Sequence, residues 1–282
     1  MLVFFRAVRR RNAARQGLTL MELVVVLAIL AAVAGILAPL LPNLLRRAHK
    51  ATDATQTGEL SKAVQMYQAS YISYPDNFDL LTDGTTFPGY LPNDGSVATT
   101  FGGFVEAKTL SSAELAALNR VGVQYVQPLS GTSTGVSGFH PTMSPYSSIL
   151  TANQVSVSST SGAALKFAVI DPSTNSNLPS HFLQAARAAD PTARYVVFGV
   201  GPRSSMVGTV IQDAPMSTPQ KKTFTPDTTY CRVGVVFKVS GLEVERSERA
   251  RFIAAVALED DELETTEKDI VGYYEVSRDP RN

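Results

Sequence analysis

The residue that most needs a chemical explanation is Glu22. It is the one charged side chain between Leu18 and Leu41. Those 24 residues would rise about 36 Å as a helix, enough to cross a hydrocarbon core of roughly 30 Å. A carboxylate costs about 2.5–3.5 kcal/mol at the centre of a bilayer and less near its interface, so it is retained where it has a role and a partner. No Lys, Arg or His lies between Leu18 and Leu45. Glu22 therefore either sits at the level of the headgroups or meets a positive charge from another molecule.

The other residues capable of chemistry form no constellation. His49, His140 and His181 are isolated and show no metal-ligand spacing with Cys231, a lone cysteine that rules out an intrachain disulfide. Gly199-Val200-Gly201-Pro202-Arg203-Ser204 contains a G-x-G after a strand-like run. It lacks a third glycine, and a strand rather than a helix is expected next, so it reads as a turn and not as a phosphate cradle. No G-x-S-x-G elbow is present. The acidic run Glu259-Asp260-Asp261-Glu262-Leu263-Glu264 reads as a solvated face or loop, with calcium as the alternative because it takes oxygen ligands from such loops. These features describe a chain that is not an enzyme and has no resident cofactor.

Gly17-Leu18-Thr19-Leu20-Met21-Glu22, followed by Leu23-Val24-Val25-Val26, resembles the N-terminal signal of type IV prepilins and type II secretion pseudopilins. The resemblance covers residues 1 to about 75. It departs from the usual pattern at Leu18, where the family usually has Phe, and at Met21, where it has Ile. It implies that a prepilin peptidase cuts between Gly17 and Leu18 and methylates the new amine of Leu18. It implies that Glu22 then pairs with the N-terminal amine of a neighbouring subunit. The physical chemistry agrees: a glycine lets a protease approach the backbone closely, and pairing Glu22 with a buried amine removes two unpaired charges together.

The same resemblance implies partners and a place. The partners are the prepilin peptidase, further copies and other pilin-like subunits, an inner-membrane assembly platform and membrane lipid. The place is the inner membrane, spanned once with the N-terminus cytoplasmic, and later a periplasmic or surface filament. Tyr74-Pro75 with Leu80-Leu81 soon after resembles the corresponding turn of major pseudopilins. That favours a type II secretion pseudopilus, which serves protein export, over a major or minor pilin of a type IV pilus, which serves adhesion, motility or DNA uptake. Some major pseudopilins hold calcium in C-terminal loops; no residue-by-residue match is found, so calcium stays unassigned. A reading of another class is an unprocessed, single-pass, membrane-anchored binding protein.

Charge placement supports the membrane reading. The net charge is zero, yet residues 1–17 carry Arg6, Arg9, Arg10, Arg11 and Arg15 and no acid. This cluster holds the N-terminus in the cytoplasm. Without it, 20 basic and 25 acidic residues remain, a balance of −5, which argues against a nucleic-acid partner.

Around Glu22, the sequence divides into a leader at 1–17, a transmembrane and assembly helix at 18–42, its amphipathic continuation at 43–75, and a globular α+β domain at 76–282. Leu60, Ala63, Val64, Tyr67 and Tyr71 fall on one helical face, so the continuation must pack on something C-terminal to it. Pro39 and Pro42 are expected to kink the long helix, and Tyr74-Pro75-Asp76-Asn77 to end it. Ser111-Ser112-Ala113-Glu114 reads as a capping box opening a short helix. Strands are expected near 121–126, 165–170, 195–200, 206–211, 232–239 and 270–276, with a helix at 181–189 and a strand or helix at 251–258. Residues 130–163 read as an exposed Ser/Thr/Gly-rich loop. The expected architecture is pilin-like: a long N-terminal helix, its first half membrane-spanning, packed on an antiparallel sheet.

Overall fold

A computed structural model describes residues 20–38, 41–91, 100–101, 104–129, 154–158, 160–174, 190–217, 229–259 and 262–264. The chain divides into two units, residues 1–45 and residues 46–281. The first contains α1 (Leu20–Leu37) and the opening turn of α2 (Leu41–Tyr71). The second contains the rest of α2 and a ten-stranded sheet.

The apolar face of α2 does what its spacing requires. Leu60, Ala63 and Val64 are buried, and Tyr67 packs partly buried against the same core. The helix stops at Tyr71. Ile72 takes a left-handed φ of 58° while its N–H closes the last turn on the Gln68 carbonyl. Tyr74 then leaves the helix and donates its N–H to the Val121 carbonyl. The Asp76 carboxylate accepts the N–H groups of Gln124 and Tyr125, tying this turn to the one after α3 (Ser112–Asn119).

The sheet runs β10 (Glu262–Glu264), β9 (Arg251–Glu259), β8 (Val233–Lys238), β7 (Tyr195–Gly199), β1 (Phe78–Asp79), β4 (Tyr125–Gln127), β5 (Val155–Ser156). It forks at β7, which also pairs with β6 (Lys166–Ile170); β6 pairs with β3 (Val105–Thr109), and β3 with β2 (Thr100–Phe101). Both faces of the sheet are covered. On one, Phe167, Val196, Phe198, Val235 and Phe237 join Leu60, Val64, Leu115 and Leu118. On the other, Tyr195, Val197, Val236 and Val256 meet Leu81, Phe87, Tyr90 and Leu91. This is why β7 and β8 are buried at every position and read as continuous apolar runs rather than alternating ones.

The α+β architecture with its long N-terminal helix agrees with expectation, and several details refine it. The sheet is mixed: β1 and β4 pair in parallel, Phe78 opposite Val126 and Asp79 opposite Gln127. The intervening β2, β3 and α3 supply the crossover that a parallel pair needs. Residues 206–211 are not a strand. They fold back on themselves, with the Val210 and Ile211 N–H groups both donating to the Met206 carbonyl and Gly208 at a φ of 78°. The strand expected from Val121 begins only at Tyr125, because Val121, Gly122 and Val123 close the end of α3 through bonds to Leu118 and Asn119 carbonyls. Residues 251–258 are strand, with one extra residue at Ile253 where Val236 faces Ala254 and Phe237 faces Phe252, a β-bulge. Inside the expected loop at 130–163 lie β5 and the start of α4 (Thr160–Ala164). The expected helix at 181–189 and strand at 270–276 lie outside the described residues. The capping box is present: Ser111 and Glu114 bond each other's backbone N–H.

Two buried polar contacts lock the sheet. The Tyr230 hydroxyl donates to Asp79, and this requires Gly199, because a Cβ there would stand 2.0 Å from the Tyr230 oxygen. At the other end of β8, Lys238 Nζ lies 2.9 Å from Asp190 Oδ2, and both side chains are buried. Asp190 also accepts bonds from the Thr192 hydroxyl and from the N–H of Leu242, the first residue of α5 (Leu242–Ser247). Burial acts to raise the Asp190 pKa, but these donors outweigh it and hold it at about 2, against an ordinary value of 3.8.

A lowered folded pKa means that this carboxylate stabilises the fold fully above about pH 4 and less as the pH falls towards 2. Asp190→Asn is expected to lose at least about 2 kcal/mol at pH 6, since it also leaves Lys238 buried without its counter-charge. The deficit should shrink in urea titrations at pH 2.5; a deficit equal at both pH values would refute this account.

Candidate functional site

The functional site suggested by sequence begins with α1, and its composition dictates its character. Leucine, isoleucine, valine and alanine fill the helix, Glu22 is its one ionisable residue, and mean hydropathy over Leu20–Leu37 is 2.8. Eighteen residues rise about 27 Å. No residue of α1 is buried: Leu20 is 82% exposed and Ile36 68% exposed. The helix is apolar all round, so no face is suited to water. Its backbone bonds are satisfied internally, which is the requirement for a segment surrounded by lipid. By length and composition it is able to cross a membrane.

Glu22 sits in the first turn of α1. There the positive end of the helix dipole favours a carboxylate, and Glu22 also makes contacts within the chain. Gly17 and Leu18 lie outside the described residues, as does Pro39. The long helix is described as two elements, with Pro39 and Leu40 between them. Pro42 is the second residue of α2, in the first turn, where the missing N–H of proline leaves no helical bond unmade. The apolar surface continues past this point: Leu41, Leu44 and Leu45 are each more than half exposed.

The remaining sequence candidates are not brought together. His49 is half-buried on α2, Cys231 is buried, and His140 and His181 lie outside the described residues. Gly199 ends β7, and Pro202–Arg203 form a turn. Of the acidic run, Glu259 faces Glu262 across the β9–β10 hairpin, while Asp260 and Asp261 lie outside the described residues. Among the described residues no group of three or more His, Cys, Asp or Glu is placed to hold a metal ion.

Against this geometry, residues 12–38 match the prokaryotic N-terminal methylation motif. The match takes in Gly17, Leu18 and Glu22 and ends one residue after α1. No curated protein and no solved structure matches the chain. The chain therefore carries a type IV prepilin-like signal, that of a pilin-like precursor processed by prepilin peptidase. The long apolar helix ahead of a curled mixed sheet fits the pilin-like fold, and helix and motif together fit a membrane anchor.

An anchor of this kind should resist alkaline carbonate extraction from membranes. A charge at its middle costs about 2.5–3.5 kcal/mol of insertion, so Leu30→Arg is expected to move a measurable fraction of the chain into the carbonate supernatant. Quantitative extraction of the unmodified chain would show that α1 is not an anchor.

Proposed function

We propose that the chain is a filament-forming subunit of a type II secretion pseudopilus. It is made as an inner-membrane precursor with its N-terminus in the cytoplasm, cut after Gly17 and N-methylated at Leu18. An assembly platform then draws it into a filament with its own copies and other pilin-like subunits. α1 and the exposed leucines of early α2 form the filament core, and the sheet domain forms the outside. Glu22 pairs with the methylated amine of a neighbour. The role is structural, with no catalytic residues and no resident cofactor.

One observation carries this reading: the methylation motif contains a helix that has no buried residue and holds a single acid. A binding protein that merely stays in the membrane needs the apolar helix but neither the processing signal nor the acid. The choice of secretion filament over type IV pilus rests on the residue pattern of the turn after α2, Tyr74-Pro75 followed by Leu80-Leu81, which resembles that of major pseudopilins.

Intact mass with N-terminal peptide mapping, on protein from its native membranes, tests the processing. A chain beginning at N-methylated Leu18 is expected, and a chain still carrying Met1 to Gly17 beside an active prepilin peptidase would overturn the proposal. Gly17→Val is expected to accumulate uncut precursor. Glu22→Ala is expected to be cut normally but to fail to enter filaments; normal incorporation would remove the assigned role of Glu22.

A further inference from the structure

A basic cluster follows the anchor, and the proposed function does not account for it. Leu44 and Leu45 are more than half exposed, and directly after them come Arg46, Arg47, Ala48, His49 and Lys50 within α2. At 100° per residue the four basic positions cover an arc of about 160° on one side of the helix. No acid occurs between Glu22 and Asp53, so over 30 residues this stretch is purely positive. Arg47, His49 and Lys50 are half-buried, and Arg47 and Lys50 make contacts within the chain as well; an arginine with five donors can serve two sets of acceptors.

In the orientation proposed above, this cluster lies on the outward side of the membrane, against the usual bias of basic residues towards the cytoplasm. The leader arginines outweigh it in the precursor, five residues against Arg46, Arg47 and Lys50. Cleavage after Gly17 removes all five. The cluster is then the larger basic flank of the apolar segment, against the single methylated amine of Leu18, and the charge bias across the membrane is reversed.

We propose that the basic stretch at 46–50, with Arg47 and Lys50 as its described members, forms a binding surface for the phosphate of anionic lipid headgroups in the outward leaflet. The surface fixes the depth of the processed subunit until it is drawn into the filament. Basic residues beside a membrane each gain about 1 kcal/mol from anionic lipid. Guanidinium groups also pair with phosphate in a bidentate way. The inference rests on the anchored orientation given above.

The test is native mass spectrometry of the full chain released from nanodiscs of equal phosphatidylglycerol and phosphatidylethanolamine. Phosphatidylglycerol is expected to be retained in preference. That preference should fall about fivefold per basic residue removed, and on the order of a hundredfold in the triple Arg46→Gln, Arg47→Gln, Lys50→Gln chain. Glutamine keeps the helix, which circular dichroism checks. The Arg46→Lys, Arg47→Lys chain should retain most of the preference.

An unchanged preference in the triple variant would overturn the proposal. So would displacement of the lipid by millimolar inorganic phosphate, which would mark a free-anion site, or duplex DNA binding abolished by the triple substitution while lipid retention stays intact. The intact mass of the same sample reports separately whether residues 1–17 are present. A failure of processing is thereby distinguished from a failure of lipid binding.

Discussion

Everything in the N-terminal part of this chain follows from one mismatch. α1 presents apolar side chains in every direction, and among the described residues none covers them. An exposed apolar surface of this extent marks contact with lipid or with other proteins. A soluble bundle helix carries a polar stripe, and an acid at the start of a lipid span is retained where it reaches the headgroups or has a partner. α1 has the acid and lacks the stripe. The proposed function gives such a segment two apolar surroundings in turn, first lipid and then the helices of neighbours, and under that proposal Glu22 is the position that distinguishes them.

The second unit has a core of its own. Its sheet is covered on both faces, and its polar interior is organised at particular points. Asp79 and Tyr230 close the packing around Gly199. Glu114 closes the α3 cap while also receiving the Arg194 guanidinium at 2.8 Å. Asp190 gathers Lys238, Thr192 and the start of α5. The contacts of Asp79 with Tyr230, Glu114 with Arg194, and Asp190 with Lys238 and Leu242 join segments far apart in sequence.

What was legible in the sequence tracks how local the cause is. The capping box at Ser111 and Glu114 and the end of α2 at Tyr71 were readable, because each is set by a few adjacent residues. β7 was readable because Tyr195 to Gly199 is an unbroken apolar run. The fold-back at 206–211 was not, since Met206, Val207, Val210 and Ile211 are as apolar as a strand and only Gly208, at positive φ, marks the difference. The parallel pairing of β1 with β4 was hidden because it joins segments 48 residues apart and two-residue β1 has no periodicity to read. The processing signal is legible in full as a pattern, while the basic flank at 46–50 takes its meaning from following the exposed Leu44 and Leu45 along α2.

α2 shows most directly that packing, not local preference, decides where this structure is firm. Between Ala51 and Gly58 its sequence is poor helix material: Thr52, Asp53, Thr55, Thr57 and Gly58 all rank low in intrinsic propensity. The hydroxyls of Thr52, Thr55 and Thr57 bond back to carbonyls four residues earlier, an arrangement that tends to weaken and bend a helix. Gly58 is not demanded by crowding, since nothing lies within 4 Å of where its Cβ would be. Yet the helix runs unbroken from Leu41 to Tyr71. Asp53 and Thr57 are fully buried, on the face that continues into Leu60 and Val64. Tertiary contact therefore holds this stretch helical against its composition. The weakest helical sequence of α2 thus lies where its residues enter the core of the second unit, while α1, a separate element, is composed so that its backbone bonds are satisfied within an apolar environment.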